Sequence, residues 1–338
     1  MEIRRAGKSG LEISRLGLGT MTWGRDTDTH EAAEQMRSYI EAGGNFIDTA
    51  ASYADGDSER VIGGLVGTFF NRDHVVIATK AGVSYPDGVR TVNNSRHFLI
   101  GELEKSLSRL GTDYVDIWQI HSWDADVALE DTLSALDFAY TSGKARYVGI
   151  SNFNGWQSAR AISLQEANTA KAPIATIQGE YSLLNRSLEN EILECATQLG
   201  VGILAWSPLG RGVLTGKYRS SIPADSRGAT PHFANFISTY LNRESARVVE
   251  AVAAAAAGLG YSPLEVALAW VQDAPGELVQ SSEHELALNC VAHSQLKRSF
   301  CPMSSEPHWT RYQAVSKKSL STLTPNRRPS TGTRSSTP

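Results

Sequence analysis

The chain predicts a (β/α)8 barrel, on three observations. Short β-branched apolar runs alternate with amphipathic stretches through most of the 338 residues, the rhythm of a parallel sheet wrapped by helices. Seven such strand–helix alternations can be counted, and an eighth would close a barrel. The competing open doubly wound sheet brings a glycine-rich phosphate turn after its first strand. Here Gly17-Leu18-Gly19-Thr20-Met21-Thr22 has no third glycine where that turn needs one.

The predicted strands fall at 16–20, 45–48, 75–80, 114–121, 145–151, 174–178 and 201–207. Helical patterns lie between them at 29–42, 58–70, 95–110, 128–142, 154–168 and 188–199. In the third of these, Leu99, Leu103, Ser106, Leu107 and Leu110 place small or apolar side chains three and four apart. Gly44, Gly111, Gly143 and Gly200 follow helical patterns closely, where a left-handed cap is expected. From Leu209 to about Asn242 there is no strong periodicity, and a loop this long inside a compact domain is usually functional. Two more helical patterns, 243–258 and 263–273, end in Asp273-Ala274-Pro275-Gly276. Glu277-Leu278-Val279-Gln280-Ser281-Ser282 then reads as a weak strand, so the eighth strand and the C-terminal helix are atypical.

The expected organisation is a barrel unit over 1–275, a degenerate closing segment over 276–305 and a disordered basic tail over 306–338. Residues 1–275 carry 24 Lys+Arg against 32 Asp+Glu, while 276–338 carry 8 against 4. Of the last 23 residues 11 are Ser or Thr, a composition that cannot build a packed core. Two explanations stand side by side: a divergent tail, or a shifted reading frame after Gly276.

Composition excludes several classes. With 41% hydrophobic and 20% charged residues, the chain is neither globally disordered nor collagen-like nor a coiled coil. A net charge of −4 gives no reason to expect nucleic acid or an anionic membrane as partner. Cys195, Cys290 and Cys301 are an odd number without zinc-ligand spacing, which suits a reducing cytoplasm and no metal site. The start of the chain lacks a signal-peptide apolar run, and no stretch approaches the ~18 apolar residues of a membrane span. Gly210-Arg211-Gly212-Val213-Leu214-Thr215-Gly216-Lys217 approaches a P-loop, but Arg211 stands at the first glycine position and Tyr218 replaces the Ser/Thr.

The strand ends carry the chemistry. In a barrel the carboxyl ends of the strands form the active face, and here they finish at Asp48, Lys80, His121, Ser151-Asn152, Gln178 and Trp206-Ser207. Tyr53 lies five residues past Asp48. Taken singly, each has an ordinary structural explanation: a capping aspartate, a solvated lysine, a satisfied histidine, a packed tyrosine. Together they would surround one mouth and form a proton-donating site. A free phenol titrates near ~10, and an adjacent ammonium would lower that value. His121 would direct a substrate carbonyl, and such a site polarises C=O and protonates the developing alkoxide. It needs hydride from a bound cofactor.

These residues resemble the aldo-keto reductases, NADPH-dependent barrels that reduce aldehydes and ketones. Asn45-Phe46-Ile47-Asp48-Thr49-Ala50 with Tyr53 and Ser58-Glu59-Arg60 is similar to the family's first signature. Three further segments resemble it in order: 107–116, 143–152, and 206–212 through Gly216-Lys217-Tyr218. The resemblance spans about 1–275. It implies Tyr53 as proton donor with Asp48, Lys80 and His121 completing a tetrad. It implies Thr20, Met21 and Asp48 near the cofactor, Ser151, Asn152 and Gln178 holding its carboxamide, and Trp206 stacked on the nicotinamide. Ser207, Pro208, Leu209, Gly210, Arg211 and Lys217 would wrap the pyrophosphate, and Arg227 would reach the adenosine end. The potassium-channel β-subunit branch has Asn where this chain has His121, which favours an active reductase. Trp23, Tyr85 and Trp123 follow strands one, three and four and would line an aromatic substrate pocket. The expected substrate is a small carbonyl compound. The alternative is an NADPH-binding regulatory or interaction protein with little turnover.

Overall fold

The computed structural model describes residues 1–274 and the backbone of 279–283. Eight parallel strands form a closed barrel: β1 (Leu16–Gly19), β2 (Phe46–Asp48), β3 (Val76–Ala81), β4 (Val115–Ile120), β5 (Ala145–Ser151), β6 (Ile174–Glu180), β7 (Gly202–Trp206) and β8 (Val279–Glu283). The segment that reads as a weak strand does pair. Leu204 stands opposite Val279 on one side of β8, and Gln280 opposite Leu16 on the other. The first and seventh strands are therefore joined through β8 in a closed ladder, with no free edge between them. The closing segment beyond 283 and the basic tail lie outside the described residues.

Nine helices of eight residues or more occur among the described residues: α1 (Thr29–Glu41), α2 (Asp57–Leu65), α3 (Arg96–Leu110), α4 (Leu129–Thr141), α5 (Gly155–Glu166), α6 (Ile192–Leu199), α7 (Pro231–Ser238), α8 (Arg243–Leu259) and α9 (Pro263–Gln272). Local chemistry sets their starts. Asp28, Ser95, Asn154, Asn242 and Ser262 each accept a backbone N–H of the first turn, and Asn154 and Ser262 complete capping boxes with Gln157 and Glu265. Gly111 and Gly200 end their helices in the left-handed region. After α1 it is Gly43, at φ 84, that takes this conformation instead of Gly44. Two helices are shorter than their patterns. Val66 turns extended and ends α2, while Ser187–Glu189 is a separate 3-10 turn ahead of α6.

The main core lies between strands and helices, with Ile47, Ile77, Trp118, Leu103 and Leu136 fully or almost fully buried. A second core joins Leu209, Val213 and Leu214 to Phe233 and Ile237 of α7 and to Val252 and Leu268. The aperiodic stretch 209–242 is thus largely packed, and it contains a helix. An antiparallel hairpin of Ile3–Arg5 with Glu12–Ser14 precedes the barrel. Its Leu11 and Ile13 pack with Phe46, Ala78, Ile117 and Leu204. No single described helix is long and apolar enough to cross a membrane.

Candidate active site

The carboxyl ends of β2, β3 and β6 meet around one buried carboxylate. Lys80 Nζ donates to Asp48 Oδ2 at 2.8 Å and to the Thr49 carbonyl at 2.7 Å. Gln178 Nε2 donates to the other oxygen, Oδ1, at 2.9 Å, so both oxygens of Asp48 are satisfied. Below this pair, Glu59 is fully buried and accepts from Thr79 Oγ1 and Arg109 Nε at 2.5 and 2.6 Å. Ser58 ties the loops after β1 and β2 together through Thr20 and Thr49.

Tyr53 begins the turn Tyr53–Gly56. Lys80 Nζ stands 5.1 Å from its ring centroid, and the His121 ring meets it edge-on at 6.0 Å. Desolvation and the Asp48 carboxylate, with a smaller effect from Tyr85, hold the phenol well above its ordinary value. This corrects the expectation of a lowered value. Burial pulls Lys80 down as well, against the Asp48 carboxylate that holds it up. Tyr53 is therefore a neutral phenol throughout the physiological range.

Burial, then the charges of Lys80 and Arg90, hold His121 well below its ordinary value, so it is a neutral imidazole at pH 7. Its Nδ1 lies 3.4 Å from Ser52 Oγ. A neutral imidazole carries its hydrogen on one ring nitrogen, and in the tautomer where Ser52 donates to Nδ1 the other nitrogen is the donor.

A cavity of about 860 Å3 opens above these groups, within the range of pockets that hold small ligands and cofactors. Thr20, Met21, Asp48, Tyr53, Tyr85, His121, Asn152 and Gln178 lie on its wall, as do Trp206, Ser207, Pro208, Leu209, Arg211 and Arg227. Six non-glycine residues among those described have positive φ, and Ala54, Asp55, Asn152, Ser207 and Arg211 of these six line the cavity. Such conformations cost energy and persist where surrounding structure imposes them, commonly at functional sites.

Several groups on and beside the wall are fixed by contacts with one another. Trp206 presents an indole whose Nε1 donates to Asn152 Oδ1 at 3.1 Å, and Asn152 Nδ2 donates to the His121 carbonyl. Gly212 has φ 89, and a Cβ there would lie 3.4 Å from Arg227 Nη2 and 4.0 Å from Lys217 Nζ. Two cationic side chains thus meet beside a stretch of wall where only hydrogen stands.

Other expected site residues lie elsewhere. Trp23 is fully buried, with Nε1 donating to Gln35 Oε1 at 2.9 Å, and is core rather than pocket. Trp123 packs edge-on against Phe153 and Trp156, off the cavity wall. Ser151 is fully buried behind Asn152, from which it accepts a hydrogen bond. Gly210 and Lys217 also lie off the wall. Arg211 is on it, yet its guanidinium is engaged: it pairs bidentately with Glu180 at 2.9 and 2.8 Å and donates to the Phe236 carbonyl. Its side chain clamps the loop after β7 to β6 and α7, and cannot also wrap a pyrophosphate.

Ser52, Arg25, Arg90, His232, Phe233 and Phe236 line the cavity without having been expected there. Phe233 and Phe236, three residues apart, were a helical signal within the aperiodic stretch. Phe236 stacks on Trp206 with ring centroids 6.4 Å apart and planes 16° from parallel.

A barrel with this site belongs to the aldo/keto reductase family, whose sequence profile matches residues 15–291. The match runs 16 residues beyond the point near 275 where the recognisable motifs stop. A probable voltage-gated potassium channel subunit beta from Oryza sativa subsp. japonica is 35% identical over 279 residues, 81% of this chain and 84% of that protein. Aldo-keto reductase YhdN of Bacillus subtilis is 32% identical over 281 residues, covering 82% of each chain. L-glyceraldehyde 3-phosphate reductase of Escherichia coli K12 is 34% identical over 286 residues, 80% of each. The chain is an oxidoreductase of a family that acts on small-molecule carbonyl compounds.

Proposed function

We propose that this chain reduces an aldehyde or ketone to the alcohol in the cytoplasm, with NADPH supplying the hydride and Tyr53 the proton. The observation that carries the reading is the convergence of Tyr53, His121 and the Lys80–Asp48 pair at the base of one cavity. His121, neutral and presenting an N–H, orients the carbonyl oxygen and stabilises charge as it develops there. Tyr53 then releases its proton to that oxygen. Lys80, held against Asp48 and over the Tyr53 ring, eases the loss of that proton at the moment of transfer.

Asn152, Gln178 and Trp206 hold the nicotinamide end, and the backbone of 207–212 follows the pyrophosphate. Arg227 and Lys217, meeting at Gly212, favour a cofactor carrying a 2′-phosphate. Tyr85 faces the substrate.

A second reading, an NADPH-binding regulatory protein with little turnover, is favoured by one observation: a relative at 35% identity is described as a potassium channel subunit beta. Titrating the protein with NADPH and then adding a carbonyl panel separates the two. Oxidation of the cofactor supports the reductase. Saturable binding with no oxidation by any carbonyl supports the regulator.

A further inference from the structure

A short hairpin, Val83–Ser84 paired with Thr91–Val92, carries Tyr85 and Arg90 to the wall of the cavity that also exposes Tyr53 and His121. Its tip is tight: Pro86–Gly88 form a 3-10 turn, with Asp87 at φ 52 and Gly88 at φ 76. Arg90 therefore leaves a two-stranded base one residue before the pairing begins.

The other arginines on this wall are engaged. Arg25 pairs with Asp26 at 3.1 Å, Arg211 with Glu180, and Arg227 donates to the Arg211 carbonyl. Arg90 makes no hydrogen bond or ion pair with another described residue. A guanidinium is charged at every working pH. Arg90 shares the cavity wall with His121, whose protonation its positive charge disfavours. Two carboxylates also line the cavity. Asp48 is bound to Lys80, and Asp55, on the turn that begins with Tyr53, forms no ion pair with Arg90. Neither neutralises it.

We propose that Arg90 determines substrate specificity by receiving an anionic oxygen group, so that the preferred substrates are short carbonyl compounds bearing a carboxylate or phosphate away from the C=O. The proposal rests on the reading of Tyr53 and His121 as the carbonyl-binding end. The planar fork of the guanidinium matches both anions bidentately, and Arg90 is exposed on the wall, open to an incoming anion.

The test compares matched probes: succinic semialdehyde against butanal, and glyceraldehyde 3-phosphate against glyceraldehyde. In Arg90→Gln the anionic-to-neutral ratio of kcat/KM should fall by about 10- to 100-fold, the range of a charge-assisted hydrogen bond. Arg90→Lys, which keeps the charge without the fork, should restore part of it. A ratio that falls for the first pair alone identifies a carboxylate site, and for the second alone a phosphate site. Unchanged ratios in both pairs, with neutral aldehydes still reduced, overturn the proposal and leave the reductase reading standing. Calorimetric binding of the two anionic probes to NADP+-saturated protein reads the site without turnover. Binding that Arg90→Gln abolishes, with no NADPH oxidation by any probe, supports the anion site and contradicts the reductase reading. Equal binding to both proteins overturns the anion site.

Discussion

Lys80 and Asp48 form an ion pair withdrawn from solvent, Nζ to Oδ2 2.8 Å, that joins the ends of two adjacent barrel strands. Lys80→Met leaves the carboxylate buried with only Gln178 to satisfy it. Breaking a buried pair from one side costs about 3–5 kcal/mol. Denaturant unfolding should show a loss of that order, together with loss of turnover. Adding Asp48→Asn removes the stranded charge and should recover much of the stability without recovering activity. Equal stability of the single and double variants would show that the pair carries no such penalty.

His121 sets a pH dependence of stability. Its folded value lies well below 6.5 because of burial and the charges of Lys80 and Arg90. Between the two values the unfolded chain binds more protons than the folded one, so stability rises with pH across that window. Stability should be full above about pH 6.5 and fall on acidification, by at most about 1.4 kcal/mol per pH unit from this group. Thermal unfolding from pH 7.5 to 5 should show the decline, and His121→Asn should flatten it. An identical decline in the variant would assign the effect to other groups.

Glu180 holds the loop after β7. It takes the Arg211 guanidinium and the Tyr240 hydroxyl, the latter at 2.9 Å, and burial with the Glu180 charge pushes Tyr240 up to about 12. Glu180→Gln should cost about 1.5–3 kcal/mol, as for hydrogen bonds to charged groups. Limited proteolysis should then cut within 207–240 faster than in the wild type. Because Phe236 stacks on Trp206, the variant should also bind NADPH less tightly. Unchanged proteolysis would show that the apolar contacts of α7 suffice to hold the loop.

Much of this architecture is legible in the sequence, for a physical reason. Parallel strands buried on both faces read as apolar runs, and the reactive residues sit where those runs end, at Asp48, Lys80, His121 and Gln178. What escaped detection depends on partners distant in sequence. Glu180 and Arg211 are 31 residues apart, and nothing local to either announces the pair. Trp23 follows a strand as a pocket residue would, but the acceptor it finds on α1, Gln35, makes it core. The hairpin ahead of the barrel has strands of three residues, too short for periodicity to register. The lowered value expected of the Tyr53 phenol is not found, because burial, which a sequence does not display, and the Asp48 carboxylate both raise it.

As proton donor of a carbonyl reductase, Tyr53 would lose its role with its hydroxyl. The most direct measurement is NADPH-dependent turnover of Tyr53→Phe, which removes the hydroxyl and keeps the ring between Lys80 and His121. A fall in kcat of roughly 10²–10⁴-fold, the contribution of general acid catalysis, with NADPH affinity little changed, is the expected result. Turnover near the wild-type rate in that variant would exclude Tyr53 as the proton donor.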